Sequence, residues 1–392
     1  MQLYILNPDY EIIGLIDEAE ENVWVKRYND EGYCAIKTPC DDNLIALLQE
    51  DNLIYRFDDD MFCEIETVEL DTEAEQGDYI TVTANDICKT IFSGRIVWDK
   101  IVFSGLVKDF IYKVVNDNVI NSTQRIRNIS NLIIDTSGFS EADEIVSTLN
   151  GGEDVLQVLK KTCKTYNYGF RVSLNIESRQ LVFRLYKGKN KATTENDEYV
   201  EFSPQFANIL SSKYKSDKSN YKNFAVVGAK DSDGSLMYIT VFLGDTEPQG
   251  KERREIYVDA TNQSRDIATD ELLTIFPSAY LSGSTYYTDI SGIAIAVATV
   301  NGDKVTVTDF AFEIMLKNIG LNALAERNKI QEFDGVVDTY DNYVYKTDYN
   351  LGDIVKVVND YGIEAAAQVT EITECDDENG KNQIEPKFEY LT

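Results

Sequence analysis

Between Asp309 and Glu374 the chain changes its period once, and that change limits what the rest can fold into. Phe312, Leu316, Ile319 and Ala323 recur at i, i+4, i+7 and i+11, one face of a helix, with Asp309 as candidate N-cap. Gly320 sits inside that pattern, where it costs about 1 kcal/mol relative to Ala. Past Lys329 the residues turn to β formers: Phe333, Val336, Val337, Thr339, Tyr340, Tyr343, Val344 and Tyr345. A tight turn, Leu351-Gly352-Asp353, then leads into Ile354-Val355-Lys356-Val357-Val358. Gly352 can take a positive φ without a Cβ clash, and the Asp353 carboxylate can accept from nearby backbone N–H groups. Asn359-Asp360-Tyr361-Gly362 reverses the chain, and Ala365 to Thr373 returns as a partner strand. These residues predict a helix packed on an antiparallel sheet, an arrangement that by itself carries no chemistry.

The N-terminal residues predict short strands. Leu3-Leu6 and Ile12-Ile16 flank a turn at Asn7-Pro8-Asp9, and Asn22 to Tyr28 alternates Val23, Val25 and Arg27 against Trp24, Lys26 and Tyr28. Tyr33-Thr38, Leu53-Phe57, Phe62-Glu69 and Tyr79-Ala84 follow, with a small helix at Leu44, Leu47 and Leu48 capped by Asp41 or Asp42. Strands so short and so closely spaced predict a small antiparallel barrel or sandwich. Residues 84–165 turn helical, with stripes at Val107, Phe110, Ile111, Val114 and at Val155, Val158, Leu159, Thr162. A hairpin, Gly169-Ile176 with Gln180-Tyr186, completes an α/β insertion, and Lys187 to Lys191 reads as a solvated basic loop.

Beyond it, Tyr199-Phe202, Ile209-Tyr214, Asn223-Val227 and Leu236-Leu243 are β-rich. Asn301-Gly302 between Ile293-Val300 and Lys304-Thr308 signals a type I′ hairpin. Ser278 to Gly292, rich in Ser, Gly, Thr and Tyr, reads as a loop. Asp231-Ser232-Asp233-Gly234 lacks the further acids of a calcium loop and is a hairpin turn, and Cys375 to Gly380 fails the same test. Asp58-Asp59-Asp60 reads as a solvated turn.

Chemistry is narrowed mainly by what is missing. The chain has no histidine, which removes Ser-His-Asp and Cys-His nucleophiles and His-ligated zinc. No phosphate-binding loop, dinucleotide fingerprint or nucleophile elbow occurs, and carboxylate pairs are too numerous to single out one as a hydrolytic dyad. No catalytic, cofactor-binding or metal residue is therefore expected. The six cysteines show no C-x-x-C and read as reduced thiols of a product made in the cytoplasm. No secretory or membrane-anchoring segment is expected. At 392 residues the chain predicts two to four domains, and its 24 Tyr mark it as folded. Its 68 acidic against 37 basic residues give −31, spread along the whole length. That charge serves solubility, or a surface that must repel a polyanion.

Taken in order, a set of landmarks carries a resemblance. They are Trp24 and Arg27 with Gly32; Arg95 in Ser93-Gly94-Arg95-Ile96-Val97; Phe202 and Ser203 with Asn208; Asn223 with Gly228; Arg254 and Glu255 before Asp259; and Leu351-Gly352-Asp353. The ordered set, closed by "DYNLGDIVKV", "VTEITE" and "IEPKFEY", resembles the siphovirus Gp37-like tail proteins, the tail-associated baseplate hub family of long-tailed bacteriophages. The resemblance implies a β-rich α+β multidomain chain in which two tail-tube-like antiparallel β-barrels are separated by α/β parts. The expected divisions are a first tube-like domain at 1–95, completed by part of 201–245, and an α/β insertion at 96–200. A second tube-like domain at 201–308 and a C-terminal helix with antiparallel strands at 309–392 follow. It implies a homotrimer at the tail tip or baseplate of a virion, offering pseudo-sixfold symmetry to a hexameric tail tube. Its partners would be the tail tube, distal tail, tape measure and receptor-binding or tip proteins, with DNA passing through unbound. The stretch after Thr373 is too short for an added lytic or receptor-binding module. The other readings open to the residues are a carboxylate-based cell-wall hydrolase and a surface or carbohydrate-binding β-protein.

Overall fold

Strands from both ends of the chain meet in one sheet. In the computed structural model, residues 2–390 are described apart from 18, 60, 74–76, 150, 194–197, 207, 291, 338–342, 360, 363 and 377–381. Asp60, Thr339, Tyr340, Asp360 and most of the 375–380 turn, named above, lie outside the described residues. The chain opens with β1 (Leu3–Leu6), β2 (Ile12–Ile16), β3 (Glu21–Arg27), β4 (Tyr33–Pro39), α1 (Asp42–Leu47), β5 (Leu53–Tyr55), β6 (Cys63–Glu73), β7 (Gly77–Asp86) and α2 (Ile87–Phe92). Next come β8 (Ile101–Leu106), α3 (Val107–Val115), β9 (Leu132–Asp135), β10 (Glu144–Leu149), α4 (Val155–Tyr166), β11 (Gly169–Asn175) and β12 (Gln180–Tyr186). A β-rich stretch holds β13 (Glu201–Phe202), β14 (Ile209–Asp217), β15 (Phe224–Lys230), β16 (Leu236–Phe242), β17 (Glu255–Asp259) and β18 (Asp266–Ala268). It continues through α5 (Thr269–Ile275), β19 (Tyr280–Ser282), β20 (Thr285–Ile290), β21 (Ile293–Asn301) and β22 (Lys304–Val307). The last elements are α6 (Asp309–Ala325), β23 (Ile330–Val337), β24 (Ile354–Val358), β25 (Glu364–Asp376) and β26 (Asn382–Tyr390).

The largest sheet has thirteen strands in the order β14-β23-β26-β25-β3-β4-β7-β6-β5-β1-β2, with β24 added on β25 and β13 on β24. Its path stays open among the described residues. The join between the two ends of the chain is β3 against β25, where Trp24 stands opposite Glu374 and Arg27 opposite Glu371. Alternation sets the buried face: Cys34, Ile36 and Thr38 of β4 point inward, and Cys34 and Ile36 pack with Leu3, Ile5, Trp24, Ile80 and Val82. Beside this sheet, α3 and α4 bury Phe110, Val114 and Leu159 against Phe92, Phe170 and Phe183. The strands β8 and β10 pair here, within a stretch whose residues predict helix, because isolated β-formers such as Val102 and Phe103 gain a ladder partner only from far along the chain.

Two smaller sheets, β16-β15-β17 and β18-β22-β21-β20-β19, sandwich α6 with Phe312, Leu316 and Val305 in their core. Gly320 belongs to that packing: a Cβ there would lie 2.5 Å from Val241 and 2.9 Å from Val227. Helix propensity is given up for close approach to the sheet. The α6 cap is Thr308, whose hydroxyl accepts from Ala311 N, rather than Asp309, which pairs with Arg265 instead. Ser278 to Gly292 is no loop, since β19 and β20 form a hairpin with Tyr280 stacked on Tyr287. Cross-strand aromatic pairing outweighs the turn-like composition. The Gly302-Asp303 turn is of the II′ kind, with positive φ at Gly302 alone.

Candidate functional site

A cleft of about 530 Å³ opens where three parts of the chain meet. The main sheet contributes Lys26, Arg27 and Asp59, the β11–β12 hairpin Arg171 and Tyr186, and the turn before β24 Tyr345, Lys346, Leu351 and Asp353.

Its floor is a buried charge network. Lys26 Nζ pairs with both Asp59 and Glu374, and Lys346 Nζ donates to Asp59 Oδ2 at 2.9 Å from the rim. Arg56, 1% exposed, donates to Glu374 Oε2 at 3.0 Å and to Asp58 Oδ2 at 2.7 Å, and its guanidinium lies 5.1 Å from the Trp24 ring centre. Trp24 donates to Asn22 Oδ1 at 2.7 Å. Burial alone would raise the Asp59 pKa, but the Lys26 and Lys346 charges outweigh it and hold the carboxylate well below its usual range. Burial likewise opposes the Arg56 charge, and Asp58, Glu374 and Asp59 more than restore it. Asp59 is therefore no solvated turn residue, because β3–β25 pairing delivers Lys26 and Glu374 to the same point.

The turn at Leu351-Gly352-Asp353 forms one wall. Gly352 has φ +93°, and a Cβ there would lie 2.3 Å from Cε2 of the buried Tyr28. Gly188, leaving the β11–β12 hairpin, approaches so closely that its Cβ would fall 1.9 Å from Gly352 O. Asp353, 2% exposed, accepts from Lys189 N at 2.7 Å and Asn350 N at 2.9 Å, with Lys191 Nζ at 3.4 Å. Lys191 also donates to Asp348 O at 2.6 Å, so this end of the basic segment 187–191 is a buried tie rather than a solvated loop. Tyr28 Oη donates to Asn167 O at 2.9 Å and accepts from Gly188 N.

The landmark residues fall into separate groups. Arg27 lines the cleft and donates to Glu371 Oε2 at 2.7 Å, while Gly32 packs on Val25 O behind it. Phe202 lies edge-on to Tyr349 in the core next to the turn. Ser203 N donates to Asn208 Oδ1 at 2.8 Å, and the buried Ser203 hydroxyl has no partner among the described residues. Asn208 Nδ2 closes the loop on Glu201 O. Arg95 is elsewhere, donating to Arg127 O at 2.6 Å. The last group sits in the β15–β17 sheet. There Asn223 bonds the backbone of Glu252 and Arg254, Gly228 lies under Tyr257, Glu255 pairs with Arg253, and Asp259 accepts from Thr261 N. Arg56, Asp59, Glu374 and Lys191 carry no local motif; only the topology assembles them.

The carboxylates at the cleft are engaged in structure. Asp59 and Asp353 are bonded as described, Asp58 pairs with Arg56, and Asp86 accepts from Cys88 N at the start of α2. Among the described residues no group of His, Cys, Asp or Glu is placed to hold a metal ion, and no helix is long and apolar enough to cross a membrane. All six cysteines are free thiols. The arrangement holds three parts of the chain in fixed relation.

Comparison with known proteins places this geometry. The profile of the family described as Siphovirus ReqiPepy6 Gp37-like protein matches residues 2–388. No curated protein matches the chain. Among solved structures, the tail protein from Neisseria meningitidis MC58 is similar with a TM-score of 0.53 at 10% identity, over 99% of this chain and 95% of that one. The 43 kDa tail protein of prophage MuSo2 from Shewanella oneidensis gives 0.52 at 10% identity, over 99% and 98%. The prophage tail protein gp18 from Listeria monocytogenes EGD-e gives 0.50 at 14%, over 99% and 94%. At such identities the likeness is one of fold: a β-rich chain of several sheets with helices between them. With the family profile spanning nearly its whole length, the chain belongs to the siphovirus Gp37-like tail protein family.

Proposed function

We propose that this protein is a structural component of a phage tail: a trimeric hub at the baseplate or tail tip, joining a hexameric tube to the distal tip. The observation that carries the reading is fold likeness over 99% of the chain to prophage tail proteins. The cleft supports it, since its charges lock the parts of the chain together, with Glu374 and Asp353 held by buried lysines. In this reading each chain supplies two tube-like barrels, so three chains offer six to the tube. The first would occupy 1–95 and draw on the 201–245 stretch, whose β14 lies at the far end of the same sheet. The insertion would occupy 96–200, the second barrel 201–308, and the C-terminal strands 309–392.

The net charge of −31 suits a channel wall that DNA passes without adhering. The partners proposed are two further copies of the chain and the tail tube, distal tail, tape measure and tip proteins, in a virion assembled in the host cytoplasm. A density map of the particle tests this. Three copies at the tip, with acids concentrated on the inner wall, are expected; a twofold assembly or a neutral or basic wall rejects the reading. Turnover of purified peptidoglycan would favour a hydrolase instead.

A further inference from the structure

In a chain with 68 acidic and 37 basic residues, some cations make no ion pair among the described residues. Three arginines of that kind are neighbours. Arg125, Ile126 and Arg127 form a single 3-10 turn. Arg127 Nη2 donates to Ile96 O at 2.6 Å, Arg95 Nη1 donates to Arg127 O at 2.6 Å, and the Arg127 guanidinium lies 5.2 Å from the Trp98 ring centre. Among the described residues none of the three makes an ion pair, and Arg127 Nη1 has no hydrogen-bond partner. Burial first, and then the Arg127 charge, hold the Arg95 pKa below its usual value, with no acid offsetting them. At the tip Ile126 is 97% exposed, flanked by Ile96 at 43% and Trp98 at 47%.

Arginine and tryptophan around an apolar tip are the composition of an interface centre rather than of a solvated turn. The rest of the surface, with its large excess of acid, offers the complementary charge on every other copy of the chain. A closed ring of three needs this kind of pairing, with one patch meeting a different patch on the neighbour. Phosphates would engage the arginines but leave Ile126 in water, and the field of the whole chain opposes a polyanion. We infer that the knob formed by residues 95–98 and 125–127 is the basic half of the contact between copies of this chain. Ile126 then seats in an apolar depression, and Arg125 and Arg127 meet carboxylates of the next copy. The inference rests on the trimeric reading above and names the surface that would hold the trimer.

Sedimentation of the chain across concentration in physiological salt tests it, comparing wild type with the double variant Arg125→Glu, Ile126→Asp. Both side chains are exposed, so an unchanged thermal melt serves as the folding control. Wild type should associate to three copies, and the variant should associate about tenfold or more weakly, as the loss of a central contact does. A wild-type trimer that the double substitution leaves intact overturns this contact while the trimeric reading stands. A wild-type chain that remains monomeric at every concentration in physiological salt overturns both. Duplex DNA retained by wild type and not by the variant, with association unchanged, overturns it in favour of a nucleic-acid site.

Discussion

Gly352 carries two constraints at once, a positive φ and contact with the Tyr28 ring. Gly352→Val should therefore lose about 1–3 kcal/mol from backbone strain alone, and more as Tyr28 is displaced. A denaturant titration should show a lowered midpoint, and a midpoint equal to wild type would discount the turn. From sequence, Asp353→Asn looks the milder change, because only the glycine position demands a φ that a β-branched residue cannot readily take. In the structure the side chain faces two N–H donors and the buried Lys191, so an amide would present its own donors to donors. Asp353→Asn should thus cost about 3 kcal/mol, bringing it level with the glycine variant in the same titration. Asp59 predicts a pH response. Its folded pKa is depressed, so its contribution is present above the unfolded value of about 4 and is lost as pH falls toward the folded one. In a Trp98→Phe background the remaining Trp24, stacked on Arg56, should report acid loosening of the network by fluorescence. Asp59→Ala should flatten that part of the stability profile. None of this network was legible beforehand, because Lys26 and Glu374 are 348 positions apart and runs of acids look solvated by default.

At the scale of elements, the sequence spoke clearly where a single face was buried. The alternation of β3 and β4 read directly, since burial on one side imposes a period of two. The α6 stripe read only in its first half: Phe312 and Leu316 are buried, but the face continues through Gly320 and Leu324 rather than Ile319 and Ala323, because the sheet takes the glycine in close contact. It spoke poorly where long-range partners supply the order. The β8–β10 ladder joins segments on either side of α3 and β9, and the β19–β20 hairpin hides in Ser, Gly and Tyr. The landmarks Arg27, Leu351 and Asp353 converge on one cleft, but Asn223 to Asp259 belong to another sheet, so order along the chain did not imply one site. The tie between the β11–β12 hairpin and the turn before β24 yields a further prediction. Gly188→Ala would drive a Cβ into Gly352 O, so hydrogen exchange should quicken across 186–191 and 350–355 while β4 to β7 keep their protection. Uniform protection in the variant would mean that the two segments are not coupled.

For the whole molecule, charge opposes assembly and salt should relieve it. Screening contracts to about 8 Å at physiological ionic strength, so the purified chain is expected to be monomeric in dilute low-salt buffer and to associate as salt and concentration rise. Light scattering across both variables checks this, and association that weakens with salt would contradict it. The splice of β3 to β25 has a consequence of another kind, in the time order of synthesis. Arg27 waits for Glu371, 344 positions later. At translation rates of about 5–20 residues per second, the outer edge of β3 stands open for some tens of seconds after it leaves the ribosome. An open edge is a template for pairing with any other strand. A polysome loaded with this message therefore displays a row of unfinished sheets. Each is sealed only when its own ribosome has passed β25, and a product cut short before that point keeps its adhesive edge for as long as it survives.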